Sequence, residues 1–129
     1  MKVNHLARIA IAAAMLLFVA LPVFASPSNK WRIQCSEGAR SAGEIVFEFA
    51  PKGGEAFDVV VQIPDGTSEN HVARIIRDTF RQSLDKAKFS AEVDDGEDVL
   101  VKRKSGAPDF DLKVKSSTVK ATRIVLDRE

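Results

Sequence analysis

The sequence predicts an α+β fold, an antiparallel β-sheet of element order βββ-α-ββββ with one covering amphipathic helix. Three observations lead there. Apolar residues alternate at period two in short runs bounded by Gly, Pro and Asp, the pattern of half-buried strands. One segment alone changes to the helical period. The composition, 45% hydrophobic with 19 Lys and Arg against 18 Asp and Glu, is that of an ordinary globular chain. It excludes a disordered chain, a collagen-like repeat and a strongly basic nucleic-acid binder.

Residues 1–25 are read as a secretory leader and stand outside the fold. Lys2 and Arg8 precede an uncharged run from Ile9 to Leu21, Pro22 ends it, and Val23-Phe24-Ala25 places small residues before a cleavage site between Ala25 and Ser26. A run of 13 residues is too short for a transmembrane anchor, which needs roughly 20. No Cys stands at the cleavage site to take a lipid. The mature chain, residues 26–129, is one small domain. Removing Lys2 and Arg8 leaves 17 basic against 18 acidic side chains, a net charge of −1, which gives no steering toward nucleic acid.

Trp31, Ile33 and Cys35 alternate with Arg32 and Gln34 to make the first strand. Ile45, Phe47 and Phe49 share one face of a second, Glu44 to Ala50. The third carries Phe57, Val59, Val61 and Ile63 after the turn Pro51-Lys52-Gly53-Gly54. Short connections among the three suggest a meander. Pro64-Asp65-Gly66 stops the third strand. Val72, Ile75, Ile76, Phe80 and Leu84 then fall on one stripe of a helix from Ser68 to Lys86. Thr67 or Ser68 serves as N-cap, and Arg74–Asp78 and Arg81–Asp85 are i,i+4 pairs on its outer face.

Asp94-Asp95-Gly96 then joins Phe89–Val93 to a strand running through Lys104. A three-residue loop ending in Gly suits a type I turn with a bulge, Val93 facing Glu97. That register puts Val99 and Val101 on the face of Phe89 and Ala91. Phe110, Leu112 and Val114 mark a sixth strand, and 118–126 a seventh whose faces alternation does not assign.

The stretch Val59 to Val114 resembles the β-α-β-β modules of flagellar hook-associated proteins, flagellins and some phage tail proteins. An apolar strand, Ile63-Pro64-Asp65-Gly66-Thr67-Ser68, the helix with Val72, Ile75 and Ile76, Phe89-Ser90-Ala91-Glu92-Val93, a Gly turn, Val99-Leu100-Val101 and Lys104-Ser105-Gly106 carry the likeness. It covers about half of the mature chain and implies a small non-catalytic scaffold module. The long terminal heptad helices of flagellins are absent, and a cleavable leader is not how flagellar subunits are exported.

Catalytic signatures are missing. His71 is the one histidine of the mature chain and Cys35 its one cysteine. No HExxH, CxxC, G-x-S-x-G or phosphate-binding loop occurs, and no internal disulfide can form. A Cys35–His71 thiol pair is conceivable, and a Ser–His–Asp arrangement around the same His71 can be composed but lacks any local nucleophile signature. Cys35, on the apolar side of its strand, is expected in the core, with a bridge between chains as the alternative. Asp94, Asp95, Glu97 and Asp98 cluster at a turn and are weak calcium candidates, although the EF-hand spacing is not met. Lys102 and Lys104 are expected to point outward as edge-strand protection, with Arg103 toward the core rim.

His71, Arg74, Arg77 and Arg81 form a basic stripe suited to an acidic protein surface or a phosphate. They are the partner-binding candidates. The expectation is an exported, cofactor-free, non-catalytic binding or assembly protein of the bacterial cell envelope. Its partner would be a protein or envelope component, or a second copy joined through a sheet edge or Cys35. The alternative is a small inhibitor of a periplasmic or host hydrolase, using the Ser36–Gly43 or Ala50–Glu55 loop. A small hydrolytic enzyme comes third.

Overall fold

Seven strands and one helix follow one another in a computed structural model, which describes residues 27–129. The leader and its cleavage site lie outside the described residues. The elements are β1 (Lys30–Ser36), β2 (Gly43–Pro51), β3 (Phe57–Ile63), α1 (Glu69–Ser83), β4 (Phe89–Asp94), β5 (Asp98–Arg103), β6 (Phe110–Ser117) and β7 (Arg123–Arg128). The class is α+β and the order βββ-α-ββββ, as the sequence predicts.

The strands divide between two antiparallel sheets, β4-β5-β1-β7 and β3-β2-β6. The meander is therefore corrected: β2 pairs with β3, but β1 pairs with β5 and β7. Alternation marks a strand and its buried face; it does not say which strand lies alongside. Between β1 and β2, Glu37 takes a positive φ of 65°. The loop is held by Ala39 N–H to Thr67 O at 2.7 Å and Arg40 N–H to Lys120 O at 3.0 Å.

Core side chains come from the inner faces of both sheets. Ile33 and Cys35 of β1, Ile45, Phe47 and Phe49 of β2, Val59 and Val61 of β3 and Val99 and Val101 of β5 are all buried. Two features join the sheets. Trp31 donates its indole N–H to Phe110 O at 2.8 Å, and Ser28 exchanges both backbone hydrogen bonds with Phe110 at 2.9 Å. Four phenylalanines interlock across the same end. Phe49 stacks on Phe110 at 4.7 Å, meets Phe89 edge-on at 5.0 Å and lies 5.4 Å from Phe57. Phe89 belongs to the other sheet, so the ring cluster spans the interface.

α1 packs on β3 and β4, the outer strands of the two sheets. Val72, Ala73, Ile76 and Phe80 are buried, and Phe80 meets Phe47 edge-on at 5.2 Å. The helix starts where predicted, with Ser68 at the N-cap position but without a side-chain cap bond. Thr67 instead donates its hydroxyl to Pro64 O at 2.6 Å. The helix ends three residues early. Leu84 is extended, and Asp85 accepts from Lys88 N–H and Phe89 N–H, making a turn that delivers Phe89 to the core. Leu84 remains buried.

The β4–β5 hairpin differs in register. Val93 faces Val99 and Asp94 faces Asp98, so the loop is Asp95-Gly96-Glu97. Asp95 and Gly96 have φ of 51° and 78°, two successive left-handed residues in place of the expected type I turn with Gly96 alone left-handed. The shift leaves the side-chain faces unchanged, and Ala91 and Val99 are buried as expected. β5 is an interior strand, so Lys102 and Lys104 do not protect an edge. Lys102 pairs with Glu92 at 2.5 Å, and Arg103 with Asp109 at 2.8 Å. β7 begins at Arg123, later than predicted, because Ala121 takes a positive φ of 75° and turns the chain first.

Candidate functional site

The basic stripe of α1 is not a set of four equivalent cations. Arg77 holds Asp78 at 2.8 Å, and Arg81 donates Nε–H to Ala91 O of β4 at 2.8 Å. The predicted Arg74–Asp78 and Arg81–Asp85 pairs do not form, since Arg77 takes the first carboxylate and Asp85 lies beyond the helix end. The side chains of His71 and Arg74 are exposed and make no hydrogen bond or ion pair among the described residues. Arg81 thus serves the fold by occupying a carbonyl of an outer strand. Two members of the stripe remain for a partner.

The acidic hairpin has a different occupation from the calcium role proposed for it. Asp94 and Asp98 face each other, an arrangement of like charges that destabilises a sheet unless something intervenes. Arg32 intervenes. Its Nη1 lies 3.0 Å from both carboxylates, and its Nε donates to Glu129 at 2.6 Å. These hydrogen bonds, led by that to Glu129, raise the guanidinium's pKa. Glu129 is correspondingly held below the usual carboxylate range, chiefly by Arg32 and then by Lys30. Among the described residues no group of three or more His, Cys, Asp or Glu side chains is arranged to hold a metal ion.

Cys35 is 2% exposed. Burial, with lesser contributions from Asp98, Glu97 and Glu69, pushes its thiol up to about 12. No hydrogen bond joins it to His71, which is exposed on α1. A protonated thiol in the core neither attacks a substrate nor reaches a second chain, so the Cys35 bridge between copies is withdrawn. The native protein should resist alkylation at pH 8 and react rapidly once unfolded. Because the folded thiol titrates about 12 against an ordinary 9, the unfolded state loses its proton first. Stability should therefore fall as pH rises from about 9 toward 12. Cys35→Ala should remove that part of the slope; an unchanged slope in urea unfolding would refute the assignment.

A feature absent from the sequence reading is the edge of β3. β3 pairs on one side only, with β2, from Gly43↔Ile63 to Phe49↔Phe57. Among the described residues none of its backbone N–H or C=O groups bonds outside that ladder. Its polar side chains turn back onto their own sheet. Gln62 donates to Glu44 at 3.0 Å, and Asp58 accepts from Lys115 at 3.0 Å. Between them Val60 is 44% exposed, and Phe57 at the strand's start is 39% exposed. Of the other outer strands, β4 gives a carbonyl to Arg81 and β6 is bridged at its start by Ser28, whereas β7 also pairs on one side only, with β1, but carries Arg123, Asp127 and Arg128 along its six residues. The run Phe57–Ile63, three consecutive valines included, was legible as a strand. Its edge position was not, since that depends on where β1 goes.

The Ser36–Gly43 loop is tied down by Thr67 and Lys120, and Ala39 within it is buried. It does not protrude as an inhibitory loop would. Lys52 to Ala56 is exposed. No described helix is long and apolar enough to cross a membrane. Comparison of the sequence with protein-family models and with curated proteins finds no match.

Proposed function

We propose that the protein is an exported, cofactor-free, non-catalytic binding or assembly module of the bacterial cell envelope. It takes an extended segment of a partner protein as an added strand along β3. The observation that supports this is the one-sided pairing of β3 together with its exposed Val60 and Phe57. Unpaired backbone on a long, weakly charged edge strand is a template for strand addition. Main-chain hydrogen bonds supply affinity there and alternate side chains the specificity. Arg74 on the neighbouring α1 offers positive charge for acidic residues flanking the added strand, and His71, one turn before it, a hydrogen-bonding side chain.

C-terminally tagged protein captured from native envelope extract should carry a specific partner, identified by mass. A Val60→Lys/Gln62→Lys variant, which places charge on the exposed side of the edge, should lose it. An Arg74→Glu variant should weaken capture without abolishing it. Amide hydrogen exchange of Phe57–Ile63 should slow in the complex. Retention of the partner by the edge variant with unchanged exchange would defeat the β3 assignment. A folded, monomeric protein that captures nothing would defeat the binding reading.

A further inference from the structure

Between the C-terminal end of α1 and the outer edge of β4 lies a hollow of about 430 Å³. Buried Phe80, Leu84 and Phe89 line its floor, and exposed Arg81, Lys86 and Lys104 line its rim. Glu92 is the one carboxylate on its wall, and Lys102 already holds it at 2.5 Å. None of the three rim cations has a carboxylate partner among the described residues. Two of them are nonetheless fixed in place. Arg81 spends its Nε–H on Ala91 O at 2.8 Å, which leaves both terminal nitrogens unbonded among the described residues. Lys104 Nζ donates to Lys86 O at 2.5 Å and keeps donors to spare. The adjoining basic hollow, of about 320 Å³, gives the contrast: there Lys30, Lys102 and Arg103 are paired with Glu129, Glu92 and Asp109.

The strand adds a further donor. Residues of an antiparallel pair alternate between facing the partner strand and facing away from it. Phe89 N–H donates to Asp85 O and Ala91 O accepts from Arg81, so the backbone groups of both residues face away from β5. Ala91 N–H therefore opens on the hollow beside the guanidinium, and it has no acceptor among the described residues. Ala91 is 3% exposed, and a buried N–H without an acceptor is costly. The end of α1 contributes about half a negative charge, which the full positive charges on the rim outweigh. We propose that this hollow binds an amphipathic oxyanion, a carboxylate or phosphate monoester on a short apolar stem. The oxyanion accepts from Ala91 N–H and from the free nitrogens of Arg81, Lys86 and Lys104, and the stem lies over Leu84 and Phe89. The site is bounded by β4 and does not rest on the reading of β3.

Purified protein is titrated with octanoate, octyl phosphate, inorganic phosphate and octylammonium, and its amide resonances are followed. Octanoate or octyl phosphate should bind saturably, with the Ala91 amide among the largest shifts. The tighter of the two identifies the oxyanion. Inorganic phosphate lacks the stem and should bind at least about tenfold more weakly. Octylammonium should not bind. Lys86→Gln/Lys104→Gln should weaken the anion about tenfold, the loss of two exposed ion pairs. Arg74→Gln/Lys120→Gln, the same change of net charge outside the hollow, should leave it unchanged. The Lys86 ammonium bonds nothing among the described residues, so Lys86→Gln alone should fold as wild type and still show part of the loss.

Absence of saturable binding by both octyl anions, or binding that leaves the Ala91 amide unmoved, would overturn the proposal. So would equal losses in the hollow variant and its control, which would reduce the effect to net charge. Octylammonium binding as well as the anions would leave only an apolar contact. Inorganic phosphate binding as tightly as octyl phosphate would overturn the amphipathic assignment.

Discussion

Replacing Phe49 by Ala should destabilise the protein by about 4 kcal/mol, the largest single loss expected in the core. The reason is position. Phe49 is fully buried and its ring contacts Phe57 of its own sheet, Phe110 on the opposite side and Phe89 of the other sheet. Truncation removes the transfer free energy of the ring and leaves a cavity at the interface of two sheets that share no ladder there. Domains of this size are stable by about 5–15 kcal/mol in all, so the variant would lie near the unfolding threshold. Urea unfolding should show a much lower midpoint with an unchanged slope. Phe49→Leu, which keeps most of the volume, should lose clearly less. A loss below about 1 kcal/mol for the Ala variant would mean that the ring cluster does not join the sheets.

The second large effect concerns charge. Arg32→Met should cost about 2 kcal/mol near neutral pH, after allowance for solvent screening of a side chain that is 18% exposed. The change removes the donor shared by Asp94, Asp98 and Glu129 and leaves three carboxylates on one face of the sheet. The pH dependence follows from the lowered pKa of Glu129. A carboxyl depressed in the folded state stabilises above its ordinary value and loses that contribution as pH falls through the folded value. The gap between wild type and variant should therefore be widest near pH 7 and narrow below about pH 4, where the carboxyls take up protons. Unfolding curves at both pH values test this; a gap that widens in acid would exclude the network as its cause.

Much of the architecture was legible because local chemistry fixes it. Val72, Ile76 and Phe80 announce a helix face whatever surrounds them, and Phe47 and Phe49 announce a buried strand face. The predicted βββ-α-ββββ order and the inward residues of β1, β2, β3 and β5 follow from such periodicities. Register and pairing did not. Asp94 opposite Asp98 looks forbidden until Arg32, 62 and 66 residues away in the chain, is seen beside both. Arg81 reads as a surface cation until the carbonyl of Ala91 appears under it. Asp111, the one buried charged side chain among the described residues, sits in an alternating run where Asp would face water. It is buried because the Pro27 segment and the Pro51–Gly54 turn close over it, and neither neighbour is near it in sequence.

β1 stands between β5 and β7, and its terminal contacts are the most distant in the chain: Ser28 donates its hydroxyl to Glu129 O, 101 residues away. The first strand to be synthesised thus finds its neighbours only among the last. The β5 flank of Trp31–Cys35 is supplied only once the chain reaches Arg103, and the β7 flank only at Arg128. Closing loops of that length before any pairing rewards them makes for folding in milliseconds to seconds rather than microseconds. A polypeptide threaded through a narrow translocation pore must remain extended until its far end has passed. A topology that withholds the first partner of its opening strand until residue 103 and the second until residue 128 gives a delay of that kind by connectivity alone.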